Sequence, residues 1–191
     1  MKELLNKTHR QIFCYNKDIG HLFVPNLNAR IMNENGGYYV RTNSLGFRSD
    51  VEFKEKKGDK PRILFFGDSN TAADGVSNNE RFSELVGKHF NAEVYNFALS
   101  GSGTDQQYLI RQKYAQKIEA DLIVFGILVD NIERNKVAYR ETINPYTKKN
   151  VLTPKPYFKL EKGKLKLSNS PAPRIKSNLK EISNYRLQFE I

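Results

Sequence analysis

The apolar run Ile63-Leu-Phe-Phe66 stops at Gly67-Asp68-Ser69, so a serine hydroxyl is delivered where a β-strand ends. In an open α/β sheet, ligands bind just beyond the carboxyl ends of the strands, and glycine permits the sharp turn that exposes a side chain there. The chemistry on offer is nucleophilic: a serine that attacks an ester carbonyl creates a tetrahedral oxyanion, which preorganised donors must meet. Two later segments carry such donors. Asn96-Phe-Ala-Leu-Ser-Gly-Ser-Gly-Thr-Asp-Gln-Gln107 holds Gly101 and Gly103, where backbone can approach a ligand, and Val129-Asp-Asn-Ile-Glu-Arg-Asn135 holds Asn131. The N–H groups of Ser69 and Gly101 together with the Asn131 amide would complete an oxyanion hole. Asp68 is expected to order the turn through hydrogen bonds to backbone N–H groups rather than to transfer protons.

Positioning these residues requires three strand ends at one edge of a sheet, and the hydrophobic pattern supplies them. Ile63–Phe66 is a continuous apolar run of the kind found in a parallel strand covered on both faces. Glu80–Phe90 has helical spacing, Val94–Ala98 reads as a second strand, Thr104–Ala120 as a helix begun by Thr104 or Asp105, and Leu122–Val129 as a third strand. The alternation predicts a parallel sheet with helices on both faces. Residues 1–60 form an arm and linker: a short helix over Lys2–Gln11, then extended chain wrapping the body, then a charged surface stretch from Glu52 to Pro61. Residues 61–135 form the α/β core. Residues 136–191 form a basic segment in which Tyr157–Leu167 alternates with period two about a turn at Glu161-Lys162-Gly163, the pattern of a β-hairpin.

Composition narrows the partners. The net charge of +10 lies entirely in the last third: residues 1–133 carry 17 basic and 17 acidic side chains, residues 134–191 carry 14 and 4. Lys159, Lys162, Lys164 and Lys166 therefore read as a solvated face protecting an edge strand, and a nucleic-acid partner is disfavoured. No window is long and apolar enough to span a membrane, and Met1–Arg10 has no signal-like apolar core. The expectation is a cytoplasmic protein, or an exported one if a signal has been removed. Cys14 stands alone, which excludes an internal disulfide and a cysteine-rich metal site; it reads as a packed small hydrophobe.

Gly67-Asp68-Ser69 with Thr71, then Asn96–Gln107, then an asparagine at the third strand end resemble the SGNH (GDSL-type) hydrolase superfamily. The likeness covers about residues 20–170, including Asn43-Ser-Leu-Gly-Phe-Arg48 and Lys155-Pro-Tyr-Phe158. It implies a three-layer α/β/α flavodoxin-like sheet with an N-terminal arm and a C-terminal hairpin insertion. It also implies an esterase or carbohydrate O-deacetylase acting on a small ester or acylated carbohydrate through an acyl-serine, with no cofactor and no metal. Ser69 would be the nucleophile, with Gly101 and Asn131 as oxyanion donors. The family's third block reads Asn-Asp, whereas this chain has Asp130-Asn131; Asp130 is thus the alternative occupant, but an ionised carboxylate would repel the oxyanion, which favours Asn131.

The family's catalytic histidine belongs to a C-terminal Asp-x-x-His block, and no histidine follows His89. His9, His21 and His89 read as surface or structural side chains, so the sheet is expected to be incomplete and the chain to hydrolyse esters weakly or not at all. The alternative reading is a catalytically dead carbohydrate-binding or interaction module that uses its basic hairpin with Tyr146, Tyr157 and Phe158. A nucleotide binder using Gly101-Ser-Gly103 against phosphate is weaker, because the lysine of a phosphate loop is missing.

Overall fold

The computed structural model describes residues 12–34, 36–143 and 150–174. The expected helix over Lys2–Gln11, together with His9 and Tyr146, lies outside them. At the centre stands β5 (Arg62–Phe66), flanked in parallel by β6 (Glu93–Asn96) and β7 (Leu122–Phe125), giving the order β6-β5-β7. Every residue of β5 is buried, as its unbroken apolar run requires of a central parallel strand. Successive side chains of β5 point to opposite faces. Phe65 meets Phe82 of helix α2 (Phe82–His89) edge-on at 5.6 Å, while Leu64 and Phe66 join the core that includes Leu109 and Ile110 of α3 (Thr104–Tyr114). The chain is thus mixed α/β, built on a small three-stranded parallel sheet among the described residues.

The elements are shorter than hydrophobic pattern alone suggests. Helix α3 ends at Tyr114 rather than Ala120, because the chain turns at Ala115, whose carbonyl accepts from Ile118 N–H at 3.2 Å, before returning to β7. Strand β7 ends at Phe125, not Val129; Gly126 N–H still bonds Phe66 O at 2.7 Å, and Val129–Lys136 winds into a 3-10 helix. A four-residue helix, α1 (Ser69–Ala72), carries the serine.

The arm is not simply extended. It forms two antiparallel hairpins, β1 (Phe13–Asn16) with β2 (Gly20–Phe23) and β3 (Asn28–Ile31) with β4 (Tyr38–Arg41). Their strands are too short to show a period, and burial rather than alternation sets them: all of β2 is buried, and Ile19, Leu22, Phe23 and Phe47 enter the main core. The charged linker is also gripped. The buried Arg62 guanidinium donates to the carbonyls of Lys54 at 2.9 Å, Glu55 at 3.2 Å, Lys56 at 2.9 Å and Glu119 at 3.1 Å, and to Glu93 Oε2 at 2.6 Å.

In the C-terminal third, β8 (Tyr139–Ile143) pairs with β9 (Asn150–Pro154), and β10 (Tyr157–Glu161) pairs with β11 (Lys164–Ser168). The second pair is the hairpin expected from alternation, but only its base packs. Phe158 and Leu167 lie against the core, whereas Leu160 and Leu165 at the tip are 72% and 73% exposed because the ribbon projects beyond the sheet.

Aromatic rings knit arm, linker and sheet together around Phe97, which lies 4.9 Å from Phe47, 4.6 Å from Phe53 and 5.3 Å from Phe66, centroid to centroid. Deleting this hub removes contacts to three separate segments at once. Phe97→Ala is expected to cost about 3–5 kcal/mol, read as a lower urea midpoint at unchanged slope.

Candidate functional site

Strand β5 delivers Gly67, Asp68 and Ser69 to the carboxyl edge of the sheet. A Cβ on Gly67 would collide with the Thr71 side chain, so the glycine is required by close approach. Asp68, buried, is the N-cap of α1: its Oδ1 accepts from Asn70 N–H at 2.9 Å. Ser69 is half-buried, and among the described residues its hydroxyl has no hydrogen-bond partner.

The β6–α3 loop is laid directly on this turn. Leu99 N–H donates to Gly67 O at 3.0 Å, and Ser102 Oγ donates to the same carbonyl at 3.2 Å. Asn96 closes the seam beneath, donating to Thr71 O at 2.9 Å and to Ser83 Oγ at 2.8 Å while accepting from Ala98 N–H at 2.9 Å. Gly101 adopts φ +77, a left-handed conformation, and a Cβ there would meet the Arg140 guanidinium.

The loop after β7 completes the edge. Asn131 Nδ2 donates to Asp68 Oδ2, placing this amide next to the serine turn. An amide carries two protons, so one remains for another acceptor. Asp130 is exposed. In a 3-10 helix neighbouring side chains point about 120° apart, so turning Asn131 inward directs Asp130 away. The structure thus brings Asp68, Ser69 and Asn131 to one corner, with the Gly101 loop packed against it.

The start of α3 departs from expectation. Gly103 takes the N-cap position, and the free N–H of Asp105 is capped from outside by Asn135 Oδ1 at 3.1 Å. Asp105 itself forms a buried ion pair with Lys155 Nζ, which also donates to Pro156 O at 3.3 Å. Burial pushes the Asp105 carboxyl up and the Lys155 amine down, and each partner restrains the shift of the other. A buried lysine has no sequence signature; the clue was its place in Lys155-Pro-Tyr-Phe158.

Two further side chains are buried beside the site: Arg48, named from sequence only within Asn43–Arg48, and His21, read there as a surface or structural side chain. Arg48 sends Nη1 to Ala72 O at 2.8 Å and Ala73 O at 3.1 Å, Nη2 to Val76 O at 2.7 Å and Nε to Asn78 Oδ1 at 3.2 Å. Burial, reinforced by nearby Arg81, lowers its pKa to about 10, still charged at neutral pH. His21 is buried on β2 with Nε2 3.0 Å from Ser100 O, so Nε2 carries the proton and Nδ1 does not. Burial and the charges of Arg140 and Lys155 hold its pKa well below 6.5, outweighing the bond to Ser100. His89 packs edge-on against Phe90 at 4.7 Å at the end of α2. Among the described residues no group of three or more acidic, histidine or cysteine side chains is arranged to hold a metal, and no helix is long and apolar enough to cross a membrane.

No family model matches this chain, and no curated protein matches it significantly.

Arg48→Met strips donors from three backbone carbonyls around α1. Each buried acceptor left unsatisfied costs about 1–3 kcal/mol, so the variant is expected to lose about 3–5 kcal/mol of unfolding free energy, with Arg48→Lys recovering part of it. His21 gives a pH test. Its folded pKa is depressed, so the unfolded chain takes up the proton first and stability falls on acidification below about pH 6.5, by up to about 1.4 kcal/mol per pH unit. Urea titrations from pH 7.5 to 5 check this; His21→Gln should flatten the profile in that window.

Proposed function

We propose that the chain is the nucleophile-bearing part of an SGNH-type serine ester hydrolase on a flavodoxin-like sheet, acting on a small ester or acylated carbohydrate. The observation that carries this reading is Ser69 at the carboxyl end of β5, its hydroxyl without a partner among the described residues, directly after Asp68, which binds Asn131 from the β7 end, and Gly67, on which the Gly101 loop is laid. The order β6-β5-β7 corresponds to the first three strands of a 2-1-3 flavodoxin-like sheet, whose ligand site lies at the switch point between the strands corresponding to β5 and β7. Ser69 and Asn131 come from those two strand ends.

In this reading Ser69 Oγ attacks the acyl carbonyl, and its proton passes to a general base. The N–H groups of Ser69 and Gly101 and the second Asn131 amide proton receive the oxyanion; the alcohol then leaves and water hydrolyses the acyl-serine. Asp68 fixes the turn and aims Asn131. The base is assigned to a group supplied from outside these 191 residues, from a second chain or another segment, since His21 and His89 are engaged elsewhere. The outer edge of β7 is unpaired among the described residues, and its Leu122, Ile123 and Phe125 side chains are exposed. Phe158 packs edge-on with Tyr108 at 5.8 Å, which weakens the reading of a dead module gripping polysaccharide through that ring.

Residues 1–191 alone should hydrolyse p-nitrophenyl acetate at background rate and react slowly with a fluorophosphonate. Added imidazole is expected to stand in for the base and raise that labelling about 10²-fold, with the label on Ser69 by peptide mass. Asn131→Ala should slow the rescued labelling about 10²-fold, equivalent to about 2.7–4 kcal/mol of barrier. Rescued labelling that persists in Ser69→Ala would remove the nucleophile assignment.

A further inference from the structure

Among the described residues, three of the buried side-chain polar atoms without a hydrogen-bond partner, Arg140 Nη1, Thr153 Oγ1 and His21 Nδ1, belong to residues that the fold connects to the Gly101 loop. Arg140 on β8 lies directly opposite Thr153 on β9, so the two side chains share one face of the hairpin. Arg140 Nη2 would come within 2.8 Å of a Cβ at position 101, which only glycine avoids. His21 is tied to Ser100 O, the carbonyl just before Gly101.

Burial of a guanidinium ordinarily demands an anion. Among the described residues no carboxylate lies within 4.0 Å of Arg140, whose Cζ lies 4.9 Å from the Phe13 ring centroid. Asp74, the acid whose charge reaches Arg140, turns its Oδ1 to other groups: it accepts from Ser100 Oγ at 2.7 Å and lies 3.9 Å from Arg48. Burial and the neighbouring charge of Arg134, only partly offset by Asp74, depress the Arg140 pKa to about 10, so the group stays a cation. Arg134 is held at the same loop by its bond to Ser102 O at 3.1 Å.

The orphaned groups define complementary chemistry. Arg140 and the Thr153 hydroxyl can both donate to one carboxylate, and a guanidinium fork matches carboxylate geometry. His21 Nδ1, unprotonated, can only accept, which suits an adjacent hydroxyl. We propose that Arg140, Thr153 and His21 form a subsite for a hydroxycarboxylate, a sugar acid or similar polyol acid, next to the Gly101 loop. The assignment of this group as part of the substrate rests on the hydrolase reading and makes that substrate an ester of a hydroxy acid.

The test is calorimetric titration of the 191-residue chain with D-glucuronate, with D-glucuronamide as the neutral isostere and inorganic phosphate as the alternative anion. Glucuronate is expected to bind about ten-fold more tightly than glucuronamide, and the preference should weaken with added salt. Arg140→Met should abolish it, Arg140→Lys should retain part, and Thr153→Val should reduce it, each with an unchanged circular dichroism spectrum. Equal affinity for acid and amide in the unaltered chain would overturn the proposal even if Arg140→Met failed to fold. Tighter binding of phosphate than of glucuronate would overturn the carboxylate assignment. The two readings separate cleanly: acid-selective binding with no rescued labelling at Ser69 removes the hydrolase and keeps the subsite, whereas labelling at Ser69 without acid selectivity does the reverse.

Discussion

A four-residue helix cannot hold itself together in water, because one turn fixes many dihedrals for too few hydrogen bonds, yet α1 must hold Ser69 in place. The Arg48 guanidinium resolves this. It reaches from the arm to the carbonyls of Ala72 and Ala73, acceptors that a short helix leaves open at its end, and to that of Val76 in the loop beyond. Ala73 sits at φ 55, a left-handed position that costs a non-glycine residue about 1–2 kcal/mol, and Arg48 grips its carbonyl. Arg81 Nη2 in turn donates to Arg48 O at 2.8 Å, while Asn78 binds Arg48 with one side-chain atom and Arg41 O with the other. The arm is therefore part of the machinery that shapes the serine turn.

The same logic extends across the carboxyl edge of the sheet. Where strands stop, their ladders stop too, and the freed backbone groups need partners. Side chains supply them here: Asn96 joins Thr71 to Ala98, Ser102 reaches Gly67 O, Asn135 caps α3, and Gln106 Nε2 binds Ile19 O at 2.7 Å. Each bridge joins segments far apart in sequence, which fixes the three strand ends against one another. Around Gly101 the pattern changes, because there the polar atoms are buried and left open.

What the sequence made legible was what depends on local pattern. The apolar run of β5, the three strand ends and the hairpin turned at Glu161-Lys162-Gly163 could all be read from periodicity and turn chemistry. The hairpins of the arm could not, since four-residue strands held by β2 burial and tertiary packing show no period. Helix α3 and strand β7 were overextended because apolar residues continue past both ends: Ile118 packs into the core from a turn, while Ile127 and Leu128 remain exposed beyond β7. Arg48, Lys155 and His21 were invisible as site-building residues for a common reason. Polar side chains are usually solvated, and only three-dimensional context reveals which ones bury their charge or ring.

The order Asp130-Asn131 gains a physical meaning from the position of Asp68. A carboxylate in the place of Asn131 would face Asp68 Oδ2 across a contact that now joins a donor to an acceptor, setting two acceptors against each other at a buried corner. An amide resolves the conflict because it donates to Asp68 and keeps a second proton. The 3-10 turn begun by Asn131 N–H bonding Leu128 O at 3.0 Å sets which of the two residues looks inward. The register of the loop thus presents an amide donor, not a second carboxylate, to Asp68 at the serine turn.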